Sequence, residues 1–123
     1  KHAKEFVKKT GINSLAIAIG NQHGLYKGKP DIHFNVLKEI NEMVTVPLVL
    51  HGASDLDKRT LKKCISLGIC KINIDTDLRL AFSKGIKGKI KGRNIRQYLE
   101  SARKNVKNKV KEKIKTFKSN DKA

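Results

Sequence analysis

The chain has 123 residues, a net charge of +17 and only 5% aromatic residues, so its length suits at most one domain of modest size. No apolar run approaches the roughly 20 residues of a membrane span, and the first residues lack the apolar core of a signal peptide. We therefore expect a cytoplasmic protein that does not enter membranes. The scarcity of aromatic side chains for base stacking also argues against nucleic acid as a partner.

The first predicted element is a helix, and three strands follow it. The opening "KHAKEFVKKTG" has Ala3, Phe6 and Val7 in helical phase and no methionine, so we expect a fragment cut within a helix. Nearly continuous apolar runs predict strands at residues 14–19, 46–51 and 69–74. Such runs are typical of a parallel sheet that is buried on both faces.

Helical patterns lie between the strands and after the last one. They consist of apolar residues three and four apart: Phe34, Leu37 and Ile40; Leu61, Cys64 and Ile65; and Leu78, Ala81, Phe82 and Ile86. Asp57 and Asp77 are expected to be N-caps, and Gly11 and Gly68 are expected to end helices. The order β-α-β-α-β-α implies right-handed crossovers. It could be the final part of an eight-stranded barrel or a piece of a doubly wound sheet.

Most of the excess positive charge follows Ser83, in a segment that predicts one long helix. Its apolar residues fall on one face: Ile95, Tyr98, Leu99, Ala102, Val106, Val110, Ile114 and Phe117. Lysines fill the other face, which we interpret as solvated surface. The alternative is a non-catalytic basic module that contacts nucleic acid or an acidic partner through this helix.

The two cysteines lie in apolar patterns, Cys64 in a helix and Cys70 in a strand. Neither has a Cys or His partner at the spacing of a zinc ribbon. We therefore expect both to be reduced thiols in the core.

Polar residues gather after each predicted strand, in "GNQHGLYKGKP", "HGAS" and "NIDTD". In parallel α/β folds the carboxyl edge of the sheet carries the site, and barrels often bind phosphate after their last two strands. This placement favours the barrel. Gly52 lets the backbone approach a ligand and Ser54 adds a hydroxyl, so "HGAS" indicates a phosphate nest.

The four histidines fall into two groups. His2 and His33 lie in patterns of surface helix and loop, where we expect solvated side chains. His23 and His51 each lie at or just past a strand end and are each followed by glycine. They could converge on one metal ion, which in a catalytic zinc site has three protein ligands, or be core or substrate-binding histidines.

Three segments carry a family resemblance: "SLAIAIGNQHGLYKGKPDIHFNVLKEI", "VPLVLHGASDL" and "ISLGICKINIDTDLRLAF". In order and spacing they resemble the C-terminal part of the class II, zinc-dependent fructose-bisphosphate and tagatose-bisphosphate aldolases. The segment "RQYLESARKNVKNKVKEKIKTF" is more weakly similar to the terminal helix of that family. The resemblance implies an α/β fold in which residues 1–123 are the last three βα units and terminal helix of one (β/α)8 barrel domain, without its N-terminal half.

The resemblance also implies the roles of individual residues. His23 and His51 would be two zinc ligands, and the groups that bind dihydroxyacetone phosphate would be Gly24, Gly52, Ala53, Ser54, Asn73, Ile74, Asp75 and Thr76. In such enzymes the metal polarises the substrate ketone during reversible cleavage of a ketose bisphosphate. The products are dihydroxyacetone phosphate and glyceraldehyde 3-phosphate, and the full-length protein is expected to be a homo-oligomer.

Two features of the family are absent from these residues. The third histidine ligand and the proton-donating aspartate are expected upstream of Lys1, so no catalytic proton donor is assigned here. We therefore expect the isolated 123 residues to be inactive. Because of their open sheet edges, we also expect them to unfold with poor cooperativity or to associate through those edges. "HGASD" occurs in tagatose-type members whereas "HGGS" is frequent in fructose-type members, which leaves the sugar open.

Overall fold

The computed structural model describes residues 2–87 and 94–122. Its elements are α1 (His2–Thr10), β1 (Leu15–Ala16), α2 (Phe34–Met43), β2 (Leu48–Leu50), α3 (Lys58–Ser66), β3 (Ile69–Ile72), α4 (Thr76–Ile86) and α5 (Ile95–Thr116). This order confirms the predicted alternation of helices and strands. The chain divides into two compact units, Lys1–Ile74 and Asp75–Ala123. None of the helices in these described ranges is long and apolar enough to cross a bilayer.

The first unit contains a parallel three-stranded sheet with the order β1-β2-β3. The central strand β2 pairs through Leu48 with Leu15 of β1, and through Leu50 with Ile72 of β3. All three residues of β2 are buried. Leu37 of α2 and Leu61 of α3 are also buried, so these helices supply the apolar cover that a parallel sheet needs.

The edge strands differ from the prediction of burial on both faces. Along residues 15–20 burial alternates, with Leu15, Ile17 and Ile19 buried and the residues between them exposed. The ladder of β1 is also shorter than expected, because the carbonyl of Ile19 accepts a hydrogen bond from the N–H of His33 at 2.9 Å. The side chains of residues 16 and 18 lie on the opposite face from Leu15, Ile17 and Ile19, and the described residues leave that face uncovered.

Cys70 is exposed, and the prediction of two core thiols is therefore wrong for this residue. The pairing of β2 with β3 passes from Leu48↔Ile69 to Val49↔Lys71, which leaves Cys70 as an extra residue in β3. A bulge of this kind interrupts the alternation of side chains along a strand. Cys64 is buried as predicted, and its burial raises the pKa of the thiol to about 11.

The helix ends were predicted well with one exception. Asp57 caps α3, where its side chain accepts a hydrogen bond from the N–H of Thr60 at 2.8 Å, and this bond holds the pKa of Asp57 below its ordinary value. Gly11 and Gly68 follow the ends of α1 and α3. The prediction for Asp77 is wrong, because α4 begins at Thr76 and the N-cap position is held by Asp75, two residues earlier than predicted.

The second unit consists of α4 and α5. Gly85 of α4 is buried, and a Cβ atom there would overlap the backbone of Ala102 in α5. Asp77 of α4 forms an ion pair with Lys113 of α5. The predicted apolar face of α5 is only partly covered: Tyr98 and Ala102 are buried, whereas exposed apolar side chains remain at Ile95, Leu99, Val110 and Ile114.

Candidate functional site

The candidate site lies at the carboxyl end of the sheet in the first unit, where the segment after β1 meets the segment after β2. Asn21 makes the first connection between them. Its Oδ1 accepts a hydrogen bond from the N–H of Ile19 at 2.8 Å, so its side chain is tied back to the residue two positions earlier. Its Nδ2 donates to the carbonyl oxygen of His51 at 3.0 Å.

Tyr26 makes the second connection. Its hydroxyl accepts a hydrogen bond from the N–H of Gln22 at 2.9 Å and lies 3.1 Å from the carbonyl oxygen of Gly52, to which it donates. The N–H of Tyr26 donates to Oδ2 of Asp55 at 2.8 Å. Asn21, before His23, and Tyr26, after it, are therefore both hydrogen-bonded to residues that follow β2.

Gly52 is required where the two segments approach each other. Its φ is +61°, in the left-handed region, and a Cβ atom would overlap the backbone carbonyl of Gln22. Glycine alone combines this conformation with this proximity at low cost. The glycine of "HGAS" thus serves the contact between two loops of the protein itself.

These contacts bring His23 and His51 together. Their ring centroids are 5.4 Å apart and the rings are inclined at 56°. His23 is exposed and His51 is half-buried. Two imidazoles that coordinate one tetrahedral zinc at about 2.0–2.1 Å have centroids roughly 5 Å apart. The observed separation fits a shared metal ion, while the assignment of the two histidines as ligands stays a prediction.

Asn73 approaches His51 from β3. Its N–H donates to the carbonyl oxygen of Leu50 at 3.0 Å, which continues the pairing of β2 with β3. Its Nδ2 lies 3.1 Å from Nε2 and 3.5 Å from Nδ1 of His51. An amide nitrogen only donates, so in this arrangement the lone pair of a His51 ring nitrogen is used by Asn73.

The other predicted substrate-binding residues occupy different environments. Ala53 is fully buried, its backbone included. Ser54 and Ile74 are half-buried, and Gly24 has a φ of +86° with open space around it.

Asp75 and Thr76 belong to the second unit, at the start of α4. The carboxylate of Asp75 accepts from Nη2 of Arg79 at 2.8 Å. Of the residues predicted to form the site, the structure brings three next to His51: His23, Gly52 and Asn73. The substrate-binding roles of all the residues named in the sequence remain predictions.

A complete metal site is absent from residues 2–87 and 94–122, which contain no group of three or more His, Cys, Asp or Glu side chains able to hold an ion. Imidazole nitrogens are among the donors that zinc takes in proteins. They are suitable for part of a zinc site.

Sequence reasoning missed Asn21, Tyr26 and Asp55. The stretch "GNQHGLY" does place an amide and a phenol on either side of His23. A pattern of spacing alone does not reveal that their partners lie after the next strand of the sheet.

Comparison with known proteins places the chain among the aldolases. The model of the family described as fructose-bisphosphate aldolase class-II matches residues 1–122. The uncharacterized protein YdjI of Escherichia coli (strain K12) is 47% identical over 121 residues, which cover 98% of this chain and 43% of YdjI. The chain thus spans less than half the length of this curated relative.

Solved structures agree with the sequence comparison. The crystal structure of the YdjI aldolase from Escherichia coli K12 matches with a TM-score of 0.89 and 45% identity, over 98% of this chain and 44% of that one. A putative fructose-1,6-biphosphate aldolase from Coccidioides immitis matches with a TM-score of 0.91 and 32% identity, over 97% and 42%.

A fructose-bisphosphate aldolase from Campylobacter jejuni, at 20% identity and a TM-score of 0.77 over 94% of this chain and 43% of that one, supports the fold alone. The predicted fold class is confirmed, because the helices and parallel strands match aldolase chains in the manner expected of the C-terminal part of a barrel. With its family model and a relative in agreement over nearly all its length, the chain belongs to the class II fructose-bisphosphate aldolase family.

Proposed function

We propose that residues 1–123 supply part of the active site of a zinc-dependent ketose-bisphosphate aldolase. The reaction is the reversible cleavage of fructose 1,6-bisphosphate or tagatose 1,6-bisphosphate to dihydroxyacetone phosphate and glyceraldehyde 3-phosphate. The observation that supports this best is the pair formed by His23 and His51, whose ring centroids are 5.4 Å apart. The two residues lie in the segments that follow neighbouring parallel strands, in a chain of this family.

In this proposal His23 and His51 provide two imidazole nitrogens to the metal. Zinc, when bound there, supplies a Lewis acid for the substrate ketone. The amide of Asn73 contacts the ring of His51 through its nitrogen. For His51 to bind zinc, this amide has to present its oxygen instead, so that it accepts from the ring N–H that the metal does not use. Asn73 is also assigned to orienting the reacting oxygens of the substrate.

The phosphate of dihydroxyacetone phosphate is assigned to residues 52–54. The backbone turns sharply at Gly52, with φ at +61°, and Ser54 adds a half-buried hydroxyl. Successive backbone N–H groups in such a turn form a concave anion site. The N-terminus of α3 is less suited to this task, since the carboxylate of Asp57 already accepts from the N–H of Thr60. Gly24, Ile74, Asp75 and Thr76 are assigned to the substrate on the resemblance alone.

The test uses four variants of the complete aldolase that carries this sequence: His23→Ala, His51→Ala, Ser54→Ala and Asn73→Ala. Each histidine variant is expected to lose bound zinc and at least about 100-fold in turnover together. The Ser54 and Asn73 variants are expected to keep zinc and to lose about 1–3 kcal/mol in substrate binding or in the chemical step. Elemental analysis and steady-state kinetics with both ketose bisphosphates provide the measurements.

The matched control is His2→Ala, because His2 is exposed on α1. It should retain both zinc and turnover. A His51→Ala protein with stoichiometric zinc and normal kcat would refute the assignment of the metal. Turnover with only one of the two sugars would identify the substrate within the proposed class.

A further inference from the structure

We propose that Tyr26 is a positioning residue that holds His23 against His51. The proposal rests on the proposed function, because it treats these two histidines as a pair that must be kept at a set separation. The hydroxyl of Tyr26 makes the central contacts: it accepts from the N–H of Gln22 and donates to the carbonyl oxygen of Gly52.

The hydrogen bonds of Tyr26 restrain His23 because of where His23 lies in the chain. His23 lies between Asn21 and Tyr26, and each of these residues is bonded to the segment that follows β2. The bond from Asn21 fixes the chain two residues before His23, and the bonds from Tyr26 fix it three residues after. With both sides anchored, the intervening loop has little freedom to carry the imidazole away from His51.

Burial of apolar side chains does not provide this anchoring. Leu25, the apolar neighbour of Tyr26, is 61% exposed, and His23 is itself exposed. Hydrogen bonds are therefore the specific restraint on this stretch of the loop. Tyr26 uses both functions of its hydroxyl, accepting from one partner and donating to the other, and phenylalanine can do neither.

Such a restraint matters for a ligand pair drawn from two separate loops. If the loop of His23 had to be ordered at the moment of binding, the ordering would weaken the affinity for the metal. A loop already held in place avoids that loss, and supporting hydrogen bonds commonly change metal affinity by about 10–100-fold. Tyr26 acts here through His23 and does not itself touch the metal.

The first experiment needs no metal. In the full chain without metal, NOE cross-peaks between the ring protons of His23 and His51 report their separation directly. We expect these cross-peaks in the original protein and at most about half their intensity in Tyr26→Phe. The only other tyrosine, Tyr98, lies in the second unit, and Tyr98→Phe is the matched control that should leave them unchanged. Full-intensity cross-peaks in Tyr26→Phe, or none in the original protein, would overturn the proposal.

The second experiment measures the dissociation constant of Co²⁺ by competition with a chelator. Tyr26→Phe is expected to raise this constant about 10-fold, whereas Tyr98→Phe should leave it within about twofold. An unchanged constant in Tyr26→Phe would count against the proposal. If the original protein binds no Co²⁺ while the ring cross-peaks still depend on Tyr26, the proposed metal function fails and the positioning role stands.

A second variant covers the case in which Tyr26→Phe does not fold. Asp55→Ala removes the acceptor of the Tyr26 N–H at an exposed position, and leaves the hydroxyl in place. It should weaken the ring cross-peaks in the same direction by a smaller factor. Cross-peaks of full intensity in Asp55→Ala, in the absence of a folded Tyr26→Phe, would overturn the proposal.

Discussion

The two units of the chain use their polar side chains over different ranges of sequence. In the first unit, Asn21 and Tyr26 bond to residues that lie 26 to 30 positions further along. In the second unit most of the described ion pairs, such as Arg103 with Glu100 and Lys109 with Glu112, lie one helical turn apart. The pair of Asp77 with Lys113, which joins α4 to α5, is the exception. Contacts over long sequence separations fix the geometry of a site, whereas exposed pairs within one helix contribute little to stability. The candidate site accordingly belongs to the first unit.

The apolar residues show the same contrast. Leu37 and Leu50 of the first unit are completely inaccessible to solvent, whereas Ile95 and Leu99 of the second unit are 67% and 50% exposed. The stability of the first unit should thus depend on the close packing of its buried apolar side chains. The second unit should depend on the few places where α4 and α5 approach each other.

The largest effect is expected from Gly52→Ala, which would separate the two loops of the candidate site. The new Cβ would overlap the backbone carbonyl of Gln22 at a residue with φ of +61°, so steric overlap adds to backbone strain. We expect a loss of about 3–5 kcal/mol in the free energy of unfolding, measured by urea denaturation. Gly28→Ala, with φ of +100° and no atom within 4 Å, is the control and should show the strain alone.

A smaller effect is expected from Asp77→Asn in the second unit. Asp77 pairs with Lys113, and their side chains are only 18% and 12% exposed. Removal of the carboxylate leaves the ammonium group without its counter-charge in a largely buried place, which should cost about 2–3 kcal/mol. The comparison is Glu5→Gln, which removes an exposed pair with Lys9 and should cost about 0.5 kcal/mol or less. Equal losses in the two variants would contradict this interpretation of burial.

Gly85→Ala should weaken the contact of α4 with α5 by an intermediate amount. A Cβ at this position would overlap the backbone of Ala102, so the helices must move apart. The better helix propensity of alanine offsets about 1 kcal/mol of the cost, and we expect a net loss of about 1–2 kcal/mol. Hydrogen exchange should locate the loss in α4 and α5, and protection in β2 should stay unchanged.

The smallest effect is expected from Asp57→Ala, which removes the N-cap of α3. Loss of the bond to the N–H of Thr60 should cost about 1 kcal/mol at neutral pH. The pKa of Asp57 is lowered in the folded state, so its contribution is present above the unfolded pKa of about 3.9 and is lost as the pH falls through the lowered value.

The difference between Asp57→Ala and the original protein should therefore shrink as the pH falls from about 7 to about 3. Asp31→Ala, at an exposed carboxylate, is the control. A difference that is constant over this range would exclude the cap as its cause.

The elements of the fold could be predicted because their signals are local. Periodic apolar residues gave the order of strands and helices, and the side chain of Asp57 indicated the start of α3. The exposure of Cys70 could not be predicted, because it depends on a shift of register between β2 and β3. Such a shift is decided by the packing of two strands and leaves no mark in the sequence of either one.

The candidate site was predictable only in part, for a similar reason. His23 and His51 were conspicuous because each precedes a glycine at a strand end. Tyr26 and Asn21 were not, because their importance depends on partners after the next strand. The periodicity in α5 predicted a long helix with its apolar residues on one face, but periodicity does not show what covers such a face.

The long sequence separation of the loop contacts also sets the time at which the site can form. The bond between Tyr26 and Gly52 closes a loop of 26 residues, and closure has to be compensated by contacts that exist only when both strands are in place. During synthesis, residues 51–55 must leave the ribosome before the loop that contains His23 can be fixed. The pair of imidazoles accordingly forms late in folding. A nascent chain in which α1 and β1 have already formed still lacks the contacts that hold the loop of His23 in place.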